Sequence, residues 1–288
     1  MKTIAVFTDY SEQSAHAARF ALHLAKKIKA NVLLYNLCMV AAKKQLQPQL
    51  SWAEADFEEE KNLTQRNNLE VFCTGLENEL TLNCFPGAYL PQITYEYCDT
   101  EIVDVMTSVI DNKNITFIVV AAPGEDDIAT FMMKENCQKI IDWSTVPVLI
   151  VPENAAIYNP EKIAFAANLD ANDTDYINML TAITQQFSPE IMVTHINMDT
   201  CQNEYETAEN LLIKNISNKV NYGRIYYRST STNNMKNGWE WLTKNKKCDL
   251  LAMVQQPKFV LKEFFKLAST PQITYHLTIP ILIFPSII

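Results

Sequence analysis

Residues suited to ligand binding follow several apolar segments of this chain. Asp9 comes directly after the apolar segment 3–8, Asn36 ends the segment 31–37, and residues 121–124 form a turn after the segment 115–120. In an open parallel sheet, ligands bind at the carboxyl ends of the strands, where such residues meet. The corresponding residues of the second half of the chain are Asn168, His195 and 254–257.

The sequence carries no recognisable catalytic or metal-binding pattern. It has no G-x-S-x-G segment, its 4 histidines lack H-x-x-x-H spacing, and its 7 cysteines include no C-x-x-C pair. With 5 glycines it also lacks G-x-G-x-x-G and the P-loop signature. We therefore predict no enzyme activity and no metal. His16 and His23, seven positions apart on one predicted helix, are expected to pack or to lie on the surface.

Strands and helices are predicted to alternate along the whole chain, which indicates right-handed crossovers and a parallel sheet covered on both faces. The predicted strands are 3–8, 31–37, 91–98, 115–122, 146–151, 162–167, 190–196, 223–229, 248–254 and 280–284. The predicted helices are 12–28, 50–79, 100–111, 127–142, 172–187, 203–220, 233–244, 263–277, with a break in 50–79 expected near Asn67-Asn68.

A repeated phrase divides the chain into two related halves. Residues 146–152, Val-Pro-Val-Leu-Ile-Val-Pro, return as Ile-Pro-Ile-Leu-Ile-Phe-Pro at 279–285. An apolar run between two prolines predicts a strand buried on both faces, with its ends at the prolines. We predict a first domain over 1–153, with a helical insertion at about 40–86, and a shorter second domain over 160–288. Each is expected to be an open α/β sandwich with a mostly parallel sheet of about five strands.

Composition narrows the class of protein. The 288 residues carry a net charge of −9 and are 48% hydrophobic, so the chain lacks the basic surface that nucleic-acid binding requires. No apolar run approaches the ~20 residues that span a bilayer, so no membrane partner is expected. An odd number of scattered cysteines and a first strand that begins at once, without a signal peptide, predict a cytoplasmic protein.

Taken together, these segments resemble the universal stress protein family in its tandem two-domain form. The resemblance covers nearly the whole chain. It rests on four segments: residues 6–14, Val-Phe-Thr-Asp-Tyr-Ser-Glu-Gln-Ser; the alanine-rich helix through Leu24-Ala25; residues 118–124, Ile-Val-Val-Ala-Ala-Pro-Gly; and the Val-Pro-Val-Leu-Ile-Val strand.

The resemblance implies a Rossmann-like fold and a nucleotide site in the first half. Many members of the family bind ATP or AMP through an Asp after the first strand and a G-x₂-G-x₉-G-[ST] loop after the fourth. The matching positions of this chain are Asp9, Ala121, Gly124, Lys134 and Glu135. Ala121, Lys134 and Glu135 depart from the family's pattern, which implies at most weak binding. The second half departs further, at Asn168, Val254, Pro257, Leu267 and Ala268, and is not expected to hold ATP.

The resemblance also implies that the two halves pair through their last strands as an intramolecular pseudo-dimer, and a homodimer is a further expectation. Three functions are compatible with the sequence. The first is a non-enzymatic stress-response protein in which a nucleotide orders the loop 121–135. The second is a ligand-independent interaction module whose partner surface is the insertion at 40–86. The third is a weak nucleotide hydrolase.

Overall fold

The computed structural model describes most of both halves of the chain. The described residues are 2–36, 52–82, 87–98, 106, 114–122, 135–198, 202–232, 248–255 and 279–286. Five predicted helices lie wholly or partly outside these ranges. Of 50–79 the part from Trp52 onward is described, of 100–111 only Met106, of 127–142 only the part from Glu135 onward, and of 233–244 and 263–277 nothing.

Ten strands and five helices are present within the described residues. The strands are β1 (Thr3–Thr8), β2 (Asn31–Asn36), β3 (Ile93–Glu96), β4 (Ile115–Ala122), β5 (Val148–Pro152), β6 (Lys162–Ala166), β7 (Glu190–Met198), β8 (Ile225–Thr232), β9 (Leu250–Val254) and β10 (Ile281–Phe284). The helices are α1 (Glu12–Ile28), α2 (Trp52–Leu82), α3 (Glu135–Trp143), α4 (Asp173–Thr184) and α5 (Gln202–Lys219).

All ten strands form one sheet in the order β3-β2-β1-β4-β5-β10-β9-β6-β7-β8. Every neighbouring pair is parallel except β5 and β10, which are antiparallel, with Ile281 opposite Ile150 and Ile283 opposite Val148. The prediction of a mostly parallel α/β fold is therefore confirmed. Each half contributes five strands in the same order, and the two sets join edge to edge at β5 and β10.

The core consists of two apolar layers, one on each face of this sheet. One layer contains Val6, Val32 and Phe165, and the other contains Ala5, Leu33 and Ala164. Neighbouring residues of a strand point to opposite faces, so a strand buried on both faces needs an unbroken apolar run. Both layers contain residues from both halves, so the hydrophobic core continues across the β5–β10 junction.

Helix α1 shows how local sequence signals set an element. The hydroxyl of Ser11, the N-cap residue, accepts from the Ser14 N–H at 3.2 Å, and Lys29 ends the helix in the left-handed conformation, at φ 55°. Buried residues recur at helical spacing along the face that packs on the sheet: Ala17, Ala21, Leu24 and Ile28.

Helix α2 is continuous, so the predicted break near Asn67-Asn68 is wrong. Both asparagines are exposed, and each costs a helix well under 1 kcal/mol relative to alanine, which the neighbouring turns offset. The helix is fixed to the first half by buried residues at i, i+4, i+7 and i+11: Leu69, Cys73, Leu76 and Leu80.

The segment between β5 and β6 is fastened to both halves. On α1, His16 Nε2 donates to the Ala155 carbonyl at 2.8 Å, and His23 Nε2 donates to Asn159 Oδ1 at 3.0 Å. On the other side, the Asp249 carboxylate accepts from the Tyr158 hydroxyl at 3.2 Å and from the Lys162 N–H at 2.9 Å. The two histidines of α1 therefore have a packing role and hold this connection in place.

Truncation at the central junction should destabilise the whole molecule. Leu282 of β10 is 3% exposed and pairs with Leu149, so Leu282→Ala removes buried methyl groups and leaves a cavity. We expect the free energy of unfolding, measured by urea denaturation, to fall by about 2–5 kcal/mol. The control is Leu211→Ala, because that side chain is 57% exposed and the change should cost less than about 0.5 kcal/mol. Equal losses of unfolding free energy in Leu282→Ala and Leu211→Ala would contradict a stabilising role for the pairing of β5 with β10.

Candidate functional site

The turn between β1 and α1 holds the Asp9 carboxylate in a fixed position. Its Oδ1 accepts from the Ser11 N–H at 3.1 Å and from the Ser11 hydroxyl at 2.6 Å, and it also accepts from the Ser14 hydroxyl. Ser11 is the N-cap of α1 and Ser14 lies in its first turn, so the start of the helix orients the carboxylate. Because all three donors converge on Oδ1, Oδ2 receives none of these hydrogen bonds.

The Asp9 side chain is exposed and favours its ionised form. Partial burial opposes ionisation, but the hydrogen bonds from Ser11 and Ser14 outweigh it and hold the pKa of Asp9 below its ordinary value. At neutral pH, Asp9 is therefore an oriented anionic acceptor at the carboxyl end of β1.

The sheet places the end of β4 beside Asp9. Val6 of β1 is in register with Val119, so Asp9 lies next to the end of β4, which includes the half-buried Ala121. Since β2 and β4 flank β1 on opposite sides, this position is the topological switch point of the first half. The structure therefore brings Asp9 and Ala121 to the same edge of the sheet.

The other predicted site residues are described less fully. Glu135 is the first residue of α3. Gly124 and Lys134 lie outside the described residues, so the position of the predicted phosphate loop stays a prediction. Within the described ranges, no group of His, Cys, Asp and Glu side chains is arranged to hold a metal ion.

The second half builds the equivalent turn with a different carboxylate. Repeat spacing places Asn168 at the position of Asp9, Leu169 at that of Tyr10 and Asp173 at that of Ser14. Tyr10 and Leu169 share a left-handed backbone, each with φ 66°. The Asp173 carboxylate points into the turn, where Oδ2 accepts from the Leu169 N–H at 2.8 Å and from the Asp170 N–H at 3.2 Å.

Burial sets the charge of Asp173. The residue is 1% exposed, and this burial raises its pKa to about 6 in spite of the two backbone hydrogen bonds. Its carboxylate is thus hydrogen-bonded to the protein's own backbone and is buried from solvent. Asp173 was not predicted as a site residue, since its position in the repeat, opposite Ser14, does not show that its carboxylate turns into the protein.

His195 and Asn36 occupy equivalent positions in the two halves and both serve the backbone. His195 Nδ1 donates to the Ala167 carbonyl at 2.9 Å, which fixes the proton on Nδ1. The Asn36 amide donates to the Cys98 carbonyl at 3.0 Å and accepts from the Cys98 N–H at 2.8 Å. Each side chain therefore ties a strand end to its neighbour.

Comparison with known proteins places this architecture in a family. The model of the universal stress protein family matches residues 1–152. The chain belongs to the universal stress protein family. Membership supports a role in the stress response. A search of the curated proteins finds no match to the chain.

Two solved structures share the fold of this universal stress protein. A universal stress protein from Archaeoglobus fulgidus is 12% identical, with a TM-score of 0.60 and coverage of 98% of both chains. A functionally unknown protein from Pseudomonas aeruginosa is 8% identical, with a TM-score of 0.52 and coverage of 99% of this chain and 92% of the other. At these identities the likeness concerns the fold alone.

The buried carboxyl of Asp173 should make stability depend on pH. An acid whose pKa is about 6 when folded and 3.8 ordinarily stabilises the fold fully below about pH 3.8. That stabilisation is lost as the pH rises through about 6, because the folded state must then bury a charge. In Asp173→Asn the side chain cannot ionise. The free energy of unfolding of this variant, relative to that of wild type, should therefore rise by about 3 kcal/mol between about pH 4 and about pH 8.

Urea denaturation across this pH range measures the effect. Asp175→Asn is the matched control, since Asp175 is an exposed residue of the same helix, and it should leave the pH dependence of unfolding as in wild type. Parallel curves of unfolding free energy against pH for wild type and Asp173→Asn would show that Asp173 is not the buried acid.

Proposed function

We propose that this universal stress protein is a non-enzymatic, cytoplasmic stress-response protein that binds an adenine nucleotide, ATP or AMP, weakly in its first half. The observation that carries the proposal is the Asp9 carboxylate. It is exposed, held by Ser11 and Ser14, and located at the carboxyl end of β1 beside the end of β4. An oriented carboxylate at a switch point is suited to accept hydrogen bonds from the amino group or hydroxyls of a nucleoside.

The loop after β4 would complete the site. In the family's pattern, Ala121, Gly124, Lys134 and Glu135 occupy the positions that meet the phosphates. Lys134 adds a cation able to bind a phosphate oxygen, and Glu135 adds a negative charge that opposes it. This balance of charges supports weak binding, and a bound nucleotide would order the loop 121–135.

The asymmetry of the two halves supports one site per chain. Asn168 carries no charge at the position of Asp9, and the carboxylate of the second half, Asp173, is buried in its own turn. The second half therefore offers no exposed carboxylate at the position that Asp9 occupies in the first.

The absence of disulfides among the described cysteines supports the cytoplasmic location. Within the described residues, Cys73, Cys98, Cys137 and Cys248 form no disulfide. Cys73, Cys137 and Cys248 are buried among apolar side chains, and Cys98 is half-buried. Cysteines that form no disulfide are typical of proteins from reducing compartments.

The alternative function, a ligand-independent interaction module, is favoured by the surface of α2. Val71 is 71% exposed and Leu82 is 85% exposed on this helix, within the predicted insertion at 40–86. If a saturating nucleotide neither releases heat nor raises the melting temperature, this alternative replaces nucleotide binding as the proposed function.

Calorimetric titration of ATP and of AMP, each with Mg²⁺, tests the proposal. We expect about one site per wild-type chain. In Asp9→Ala the affinity should fall by at least about tenfold, because about 1.4 kcal/mol of hydrogen bonding to a charged acceptor is lost. Asp173→Asn is the control from the second half and should bind as wild type does.

Two results would contradict the proposal. If wild-type protein binds neither ATP nor AMP at millimolar concentration, an adenine nucleotide is not its ligand. Binding that is weakened by Asp173→Asn and left intact by Asp9→Ala would move the site to the second half.

A further inference from the structure

We infer that Tyr10 is a positioning residue through which helix α2 controls the orientation of the Asp9 carboxylate. The inference rests on the proposed nucleotide site and concerns its regulation. It implies that whatever alters the packing of α2 alters ligand binding at Asp9, although α2 itself supplies no hydrogen bond to that carboxylate among the described contacts.

Tyr10 has an unusual backbone at the centre of the site. It lies between Asp9 and Ser11 with φ 66°, the left-handed conformation that residues with bulky side chains rarely adopt. Such a residue keeps this conformation only when its surroundings hold it there. Its own N–H donates to the hydroxyl of Thr8 at 3.0 Å, which secures one side of the turn.

Helix α2 holds the side chain of Tyr10. The phenol hydroxyl donates to the backbone carbonyl of Gln65 at 3.1 Å. The ring meets Phe72 edge to face, with centroids 6.2 Å apart and an interplanar angle of 72°. Gln65 and Phe72 are seven residues apart, which is two turns along one face of the helix, so α2 contacts Tyr10 at two positions.

The helix is itself fixed independently of Tyr10. Leu69 and Leu76 are buried in the core of the first half. Glu79 receives two hydrogen bonds from the Arg19 guanidinium of α1, at 2.7 and 2.8 Å. A chain of packed contacts therefore runs from the core through α2 and Tyr10 to the turn that presents Asp9.

The equivalent turn of the second half is held by a different set of hydrogen bonds. Leu169 has the same φ of 66° and packs partly buried against the core. There, Asp173 closes the turn from within by accepting from its backbone N–H groups. In the first half Ser14 replaces that carboxylate and Asp9 turns outward, so the turn is held from outside by α2. The contacts of Tyr10 with α2 thus occur in the half whose turn carries the exposed carboxylate.

The pKa of Asp9 provides a direct readout of this positioning. Its causes are burial and the hydrogen bonds around the carboxylate, chiefly those from Ser11 and Ser14, with no charged side chain of the described residues among them. A change in the geometry of these hydrogen bonds therefore changes the pKa, whereas a uniform loss of global stability does not.

The first experiment is a pH titration of the Asp9 carboxyl carbon by ¹³C NMR in wild type, Tyr10→Ala and Phe72→Ala. Phe72→Ala leaves the sequence of the turn unchanged and acts only from the helix. We expect the pKa of Asp9 to move up toward the ordinary value of aspartate in both variants, and Tyr10→Phe, which keeps the ring contact, to restore most of the wild-type behaviour. Glu79→Gln, which removes the negative charge that pairs α2 with Arg19 of α1, is the control and should leave the Asp9 titration unchanged.

The second experiment is calorimetric titration of ATP into the same proteins. Tyr10→Ala and Phe72→Ala should weaken binding on the order of tenfold, and Glu79→Gln should not. If Tyr10→Ala fails to fold, Phe72→Ala and Tyr10→Phe carry both measurements.

The outcomes separate the inference from the proposed function. An Asp9 pKa that stays at its wild-type value in both Tyr10→Ala and Phe72→Ala overturns the positioning role, whether or not nucleotide binds. A shifted pKa in a protein whose wild type binds no ATP supports the positioning role and removes the proposed ligand.

Discussion

The antiparallel pairing of β5 and β10 is the constraint on which the rest of the structure depends. Each strand is the last of its half and is buried on both faces. β5 follows Pro147 and ends at Pro152, and β10 lies between Pro280 and Pro285. Pairing removes one exposed edge from each five-stranded set and lets both apolar layers continue across the molecule.

Along the described part of the chain, no helix is both long and apolar enough to cross a bilayer.

The direction of this pairing also separates the carboxyl edges of the two halves of the sheet. The strands within each half are parallel, and the halves meet in an antiparallel sense. The carboxyl ends of the first five strands therefore lie at the opposite edge of the sheet from those of the last five. Asp9 and Asn168 follow β1 and β6 at these opposite edges, so the halves share a core while each turn is built from its own residues. This arrangement allows one half to keep an exposed carboxylate while the other buries its own.

Much of the fold could be predicted from the sequence because burial on both faces requires unbroken apolar runs. The strand at 3–8 and the helix at 12–28 are present as predicted. The break in α2 was predicted wrongly because asparagine is unfavourable in helices, although its small cost at an exposed position does not end one. Neither the register of β5 against β10 nor the contact of Tyr10 with α2 could be predicted, since both join residues far apart in the chain.

The candidate site was predictable only in part. Asp9 could be located because it directly follows a strand. Asp173 could not, because a sequence does not reveal which of several carboxyls, here Asp170, Asp173 and Asp175, turns into the protein. The phosphate loop predicted at Gly124 and Lys134 lies outside the described residues and remains a prediction.

We propose that this chain keeps one ligand site, at Asp9, and that the equivalent turn of the second half binds no ligand. The most direct test is a crystal structure of the full chain grown with ATP and Mg²⁺. We expect nucleotide at the carboxyl ends of β1 and β4, with a polar atom of the nucleoside within hydrogen-bonding distance of the Asp9 carboxylate, and none at the ends of β6 and β9. Nucleotide bound beside Asn168 and Asp173, or bound in the first half without contact to Asp9, would contradict it.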